Sequence, residues 1–124
     1  MDRIKITVGD VSIRIEPRDT PTARALIEAL PFDASASTWG DEVYFRTPVR
    51  VGREAEARDV VDPGEIAFWT DGDAIAICFG PTPIARAGES RLASPSNVWA
   101  DAIDDVRALE AVRSGDRVRV EKDG

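Results

Sequence analysis

Arg46 is the first residue whose chemistry could do something specific. Its planar guanidinium fork suits carboxylates and peptide carbonyls, and it ends the alternating stretch Glu42-Val43-Tyr44-Phe45-Arg46. Two readings are open. Arg46 either anchors a ligand at the mouth of a cleft or is a solvated strand arginine paired with Asp41 or Glu42. Trp39, Trp69 and Trp99 come next, because an aromatic body with a polar tip lines binding pockets as readily as it fills cores. Trp69 stands out, facing small side chains at Ala74 and Ala76. A cleft bounded by Arg46, Trp69, Phe79 and the segment 80–97 is the candidate ligand site, with Tyr44, Thr82 and Asn97 as further candidate contacts.

Other chemistries lack their parts. The chain has no histidine, so Cys78 has no imidazole to generate its thiolate and reads as a small core residue. Ser90, Ser94 and Ser96 have no His or Lys nearby in sequence, and no hydrolase triad can be assembled from them. Asp71 and Asp73 flank Gly72 without the twelve-residue pattern of a calcium loop, and read as turn residues. No glycine-rich phosphate loop and no Cys/His cluster occurs. The expectation is no metal and no cofactor, with no catalytic residue beyond Arg46.

Charge narrows the partners. The formal net charge is −7, from 23 acidic and 16 basic residues, and the acidic residues run along the whole chain. Displacing counter-ions from phosphates takes clustered Lys and Arg, so nucleic acid is not an expected partner. Only Lys5 and Lys122 are lysines; the skew toward arginine fits a GC-rich genome or a protein adapted to high internal salt. A single cysteine permits no internal disulfide and fits a reducing compartment. No apolar run approaches membrane-spanning length, and the start, MDRIKITV, has no signal-peptide core. The sequence therefore reads as a soluble, cytoplasmic protein with no membrane partner, one domain over residues 1–124.

The element that must position these residues is the stretch from Gly64 to Gly80. Two apolar runs are broken by Asp71-Gly72-Asp73, a strong hairpin signal. Side-chain parity places Ile66, Phe68, Ile75, Ile77 and Phe79 on one face and Ala67, Trp69, Ala74, Ala76 and Cys78 on the other. Neither face is polar, so the hairpin has to be covered on both sides, in the middle of a closed or layered β structure.

Around it, Arg3–Val8 and Val11–Glu16 alternate with period two across Gly9-Asp10 and predict an amphipathic hairpin with a type II′ turn. Thr20 caps a helix with Pro21 at its first position, buries Ala23, Leu26, Ile27 and Leu30, and stops at Pro31. Residues 32–40 read as loop, 42–51 as strand in which Pro48 forces a bend, a bulge or an edge position, and 52–63 as an exposed connection. Residues 80–97, carrying three prolines, read as a long irregular loop of the kind that forms lids and binding loops. A strand follows over 97–103. Asp104 is the expected cap of a short helix burying Val106, Leu109 and Val112, with Ile103 stapled onto it, and Arg117–Glu121 is a last strand after Gly115. The total is about eight strands and two helices.

The order of these elements is similar to that of cyclophilins. The segments TWGDEVYFRTPV, GEIAFWTDGDAIAICFGPTP and NVWADAIDDVRALEAV more closely resemble the small prokaryotic cyclophilin-like proteins, over nearly the whole chain. The resemblance implies a closed barrel with helices at its open ends. Cyclophilins catalyse prolyl cis/trans isomerisation, whose barrier is about 18–20 kcal/mol, with an arginine, a glutamine, an apolar pocket and rim tryptophan and histidine. The resemblance puts Arg46 in the arginine position, Ala74 and Ala76 where the glutamine and pocket phenylalanine would be, and Ser96 where the histidine would be.

The expectation is a mainly β, cyclophilin-like closed barrel of about eight strands capped by two helices. It acts as a binding module for a small molecule or an extended peptide. Two alternatives stay open: a weak prolyl isomerase using Arg46, and a subunit of a homo-oligomer that buries the small-residue face of the central hairpin.

Overall fold

The computed structural model describes residues 2–124. β1 (Ile4–Val8) and β2 (Val11–Pro17) pair antiparallel with Val8 opposite Val11. Gly9 takes φ +56° at the bend, the sign a type II′ turn needs at its first central residue. Every second side chain, Ile4, Ile6 and Val8 with Ile13 and Ile15, is buried in the core. Helix α1 (Pro21–Ala29) starts where expected, with the Thr20 side chain accepting a hydrogen bond from the Ala23 amide. Leu26 and Ala23 enter the core, and the other two residues of the stripe, Ile27 and Leu30, pack against it half-buried.

The central hairpin is β7 (Glu65–Trp69) and β8 (Ala74–Cys78), with Trp69 opposite Ala74 and Ile66 opposite Ile77. Its large face, Ile66, Phe68, Ile75 and Ile77, meets the N-terminal hairpin inside the barrel. Burying each such side chain contributes about 1.5–3 kcal/mol. The opposite face is dry as well: Ala67, Ala76 and Cys78 form a second cluster with Val61 and Leu92. The cover on that side comes from β6 (Arg58–Val61) and the first half of β9 (Ser90–Ala102), which pair with each other.

Ten strands form among the described residues, the others being β3 (Phe32–Ser35), β4 (Ser37–Thr38), β5 (Glu42–Arg46) and β10 (Arg117–Lys122). The sheet runs β3-β10-β1-β2-β9-β7-β8-β5-β4, with β6 added on β9. Its two end strands, β3 and β4, are one stretch of chain interrupted only at Ala36. The sheet thereby rolls up nearly closed. Ala36 itself donates to the Asp116 carbonyl and accepts from Gly115. No helix among the described residues is long and apolar enough to cross a membrane.

Five local expectations need correction. Residues 32–40 are not all loop: β3, Phe-Asp-Ala-Ser with Phe32 in the core, and β4, Ser-Thr, are edge strands whose backbones pair with β10 and β5 and which are too short for a pattern to stand out. The connection 52–63 contains β6. The segment 80–97 is irregular only as far as Glu89, because β9 starts at Ser90 and carries Pro95 where its pairing with β6 shifts register, a place a strand tolerates proline. The strand from Glu42 stops at Arg46, short of Pro48. The last helix is a 3-10 helix, Val106–Ala111, capped by Asp105; Val106 and Leu109 are buried in it and Val112 at its C-cap, as expected. Asp104 instead receives the Arg14 amide and guanidinium, and Ile103 lies exposed.

Candidate functional site

Strand parity assembles the site. Glu42, Tyr44 and Arg46 alternate on the outer face of β5, directly opposite Cys78, Ala76 and Ala74 of β8. One strand further, Trp69 faces Ala74 and Ala67 faces Ala76. Large groups on β5 and β7 thus flank a floor of methyl groups, and the depression between them is a half-enclosed cavity of about 160 Å3. Ala76 is its floor; Trp39, Tyr44, Trp69 and Leu92 are its walls, Ala93 lies at its margin, and Glu42 is the one ionisable carboxyl in it.

The walls are held in place. The Trp69 indole N–H donates to Ser94 Oγ at 2.7 Å, and that hydroxyl donates to the Asp71 carboxylate at 2.9 Å. Gly72 lies against the six-membered ring of the same indole, so close that a Cβ there would overlap it. Trp39 is brought beside Glu42 by a tight turn in which its amide donates to the Glu42 carbonyl at 3.0 Å.

Glu42 is 6% exposed. Burial drives its carboxyl up to about 7, opposed only weakly by the Cys78 thiol, whose Sγ lies 3.8 Å from Oε1. Burial first, then the neighbouring carboxylate, pushes the Cys78 thiol well above its ordinary range. A thiol so disfavoured as thiolate is no nucleophile, and it remains the small buried residue that the sequence indicates.

Arg46 is exposed and forms no ion pair with Asp41, Glu42 or any other described residue. It borders a second depression of about 220 Å3 that also touches Ser35, Ser37 and Ala74, and Tyr44 and Trp69 line both. Three of the sequence candidates, Tyr44, Trp69 and Arg46, therefore converge. Phe79 turns its ring toward the barrel core. Thr82 is buried, its hydroxyl donating to the Arg91 carbonyl and accepting the Arg91 amide, which ties the 80–89 loop to β9. Asn97 is also buried, donating to Thr22 Oγ1 and the Gly52 carbonyl and accepting the Glu54 amide. None of these three lines the cavity. Trp99 belongs to the core, 0% exposed, with its indole nitrogen unpartnered.

Glu42 and Leu92 are cavity residues that sequence reasoning missed as site candidates. The signal for Glu42 was present: it shares parity with Tyr44 and Arg46 and must face the small side of the hairpin once β5 pairs with β8. Leu92 had no comparable signal, lying in a proline-bearing segment that reads as loop. Among the described residues no group of three His, Cys, Asp or Glu side chains is arranged to hold a metal ion.

Comparison with known proteins adds three findings. A family model described as cyclophilin-like matches residues 2–121. The solution structure of a hypothetical protein from Archaeoglobus fulgidus superposes with a TM-score of 0.84 at 36% identity, covering 98% of this chain and 95% of that one. The structure of McbB in complex with tryptophan matches with a TM-score of 0.67 at 18% identity; the match covers 98% of this chain but only 45% of McbB, and it shows a shared fold. No curated protein matches the chain.

Proposed function

The chain belongs to the cyclophilin-like family, and on that premise we propose that it is a binding module whose ligand is a small, mainly apolar molecule seated between Trp39, Tyr44 and Trp69. The observation that carries this reading is the cavity itself: preformed, walled by three aromatic rings and floored by Ala76. Concave apolar sites with a single well-placed polar group are the usual form of small-molecule pockets. A volume near 160 Å3 is comparable to the engineered cavity of about 150 Å3 that holds benzene, so one ring of the ligand fits inside and the remainder extends toward solvent. McbB, which shares the fold, is found in complex with tryptophan, and this supports an aromatic small molecule over an extended peptide.

The test is a titration with benzyl alcohol, read by the fluorescence of Trp39 and Trp69 and by the rise in melting temperature that occupancy brings. Saturable binding is expected in the wild type and is lost in Ala76→Leu, which fills the floor. Equal binding by the filled variant would place the ligand elsewhere and end this reading.

A second reading, an isomerase, rests on Arg46 being directly opposite Ala74 on the face that the cyclophilin resemblance assigns to substrate. Against it, alanines stand where a glutamine and a pocket phenylalanine would act, and Ser96 is fully buried, its hydroxyl donating to the Ser94 carbonyl. A homo-oligomer would need a surface other than the small-residue face, much of which β6 and β9 already cover.

A further inference from the structure

We propose that the ligand of this cavity carries a protonated amine, that Glu42 is its counter-ion, and that the rings of Trp39, Tyr44 and Trp69 form the box around it. The proposal rests on the binding reading above and names the chemical class of what is bound.

The Glu42 carboxyl is an underfilled acceptor. Glu42 is 94% buried, and among the described residues its one donor is the Cys78 thiol, a weak donor at 3.8 Å from Oε1 that leaves Oε2 without a protein partner. A carboxylate offers about four lone-pair sites. Buried polar groups are normally satisfied, and a buried carboxylate without donors is expensive. An incoming ammonium, with up to three N–H donors and the opposite charge, supplies what the lining lacks, as a charge-assisted bond of the stronger kind.

The walls point to the same ligand. A cation within about 6 Å of an aromatic centroid is attracted to the ring face, more so where water is excluded, and three of the cavity's walls are aromatic. No competing positive charge lines it. The carboxyl touches the Cys78 thiol, kept neutral, and shares the cavity lining with Ala76 of β8, Tyr44 of its own strand, Trp69 of β7, Trp39 before β5, and Leu92 and Ala93 of β9. Arg46 borders the adjoining depression, which Tyr44 and Trp69 also line. The net charge of −7 adds a long-range field that concentrates cations near the surface.

The experiment compares benzylamine with benzyl alcohol, one ring each, by isothermal titration calorimetry at pH 6 and pH 8. Because Glu42 titrates near 7 in the folded protein, it is ionised to about one tenth at pH 6 and about nine tenths at pH 8. Benzylamine is expected to bind roughly tenfold tighter at pH 8, while benzyl alcohol shows no such trend. In Glu42→Gln the trend and the preference for the amine both disappear. The inference is overturned if benzyl alcohol binds as tightly as benzylamine at pH 8, or if the pH trend survives in Glu42→Gln; the cavity reading then stands without it. If neither compound binds, the cavity reading itself fails. Should Glu42→Gln not fold, the contrast between the two compounds in the wild type decides alone.

Discussion

Glu42 and Cys78 are direct cross-strand partners, with Sγ 3.8 Å from Oε1 and the carboxyl closed in by a cavity that is otherwise apolar. The burial of this carboxyl, against which the thiol contact works, gives the protein an unusual pH profile. The Glu42 carboxyl rises from 4.5 to about 7 on folding, through burial. Between those values the folded protein holds a proton that the unfolded chain has released, so stability declines as pH climbs through this window and levels off above it. Glu42→Gln removes the penalty and is expected to be more stable than wild type at pH 8, by on the order of 3 kcal/mol at most, and little different at pH 4. Denaturant midpoints at the two pH values check this. An unchanged slope in the variant would mean that another group titrates.

Gly72 and Trp69 are coupled by contact. Gly72 needs no left-handed backbone, so its requirement is steric: an added methyl runs into the indole ring. The ring cannot swing freely, because Ser94 holds its N–H. Gly72→Ala is therefore expected to destabilise by about 1–3 kcal/mol, the range for overpacking, and to weaken ligand binding because the displaced indole is a wall of the cavity. Melting curves and the benzyl alcohol titration measure the two effects. A destabilised variant with wild-type affinity would show Trp69 to be no part of the binding surface.

The central hairpin was legible because its two faces obey a period of two and its turn chemistry fixes the register; that register alone sends Trp69, Ala74, Ala76 and Cys78 to one side. The site was half legible for the same reason, since β5 adds Tyr44 and Arg46 by parity. What the sequence hid is non-local. β3 and β6 are held by backbone ladders whose partners, β10 and β9, lie far along the chain, and β4 is only two residues long; none has enough residues for an alternation to stand out. Pro95 disguised a thirteen-residue strand, because a register shift accommodates the missing donor. Asn97 and Thr82, polar residues in an apparent loop, read as ligand contacts when they are the buried ties that fasten loops to the barrel.

Asn97 is the clearest of these ties. Its side chain makes three hydrogen bonds of 2.8–3.0 Å, binding the Glu54 amide, the Gly52 carbonyl and the hydroxyl of Thr22 at the start of α1. Each bond contributes about 0.5–1.5 kcal/mol net, and removal strands buried groups that cost about 1–3 kcal/mol each when unmade. Asn97→Ala is expected to lose about 2–4 kcal/mol and to loosen residues 52–57 before the barrel opens. Hydrogen exchange should show the Glu54 amide losing protection at the level of local opening. Retention of that protection in the variant would place the tie elsewhere.

Arg46 separates the binding module from the enzyme. Its side chain is exposed, with no ion pair among the described residues, so Arg46→Ala is expected to change stability by no more than about 0.5 kcal/mol, the usual range for such surface positions. Lowering a barrier of about 18–20 kcal/mol requires more than one guanidinium: a substrate proline must be gripped while its amide twists. The residues placed to do so are Ala74, directly opposite Arg46, and Ala76, one pleat away on the same face, and neither can donate a side-chain hydrogen bond or cover a pyrrolidine ring. A protease-coupled prolyl isomerisation assay is therefore expected to show no acceleration by the wild-type protein. Acceleration that disappears in Arg46→Ala, with the fold intact, would make Arg46 catalytic and turn the aromatic cavity into the neighbouring subsite of an isomerase.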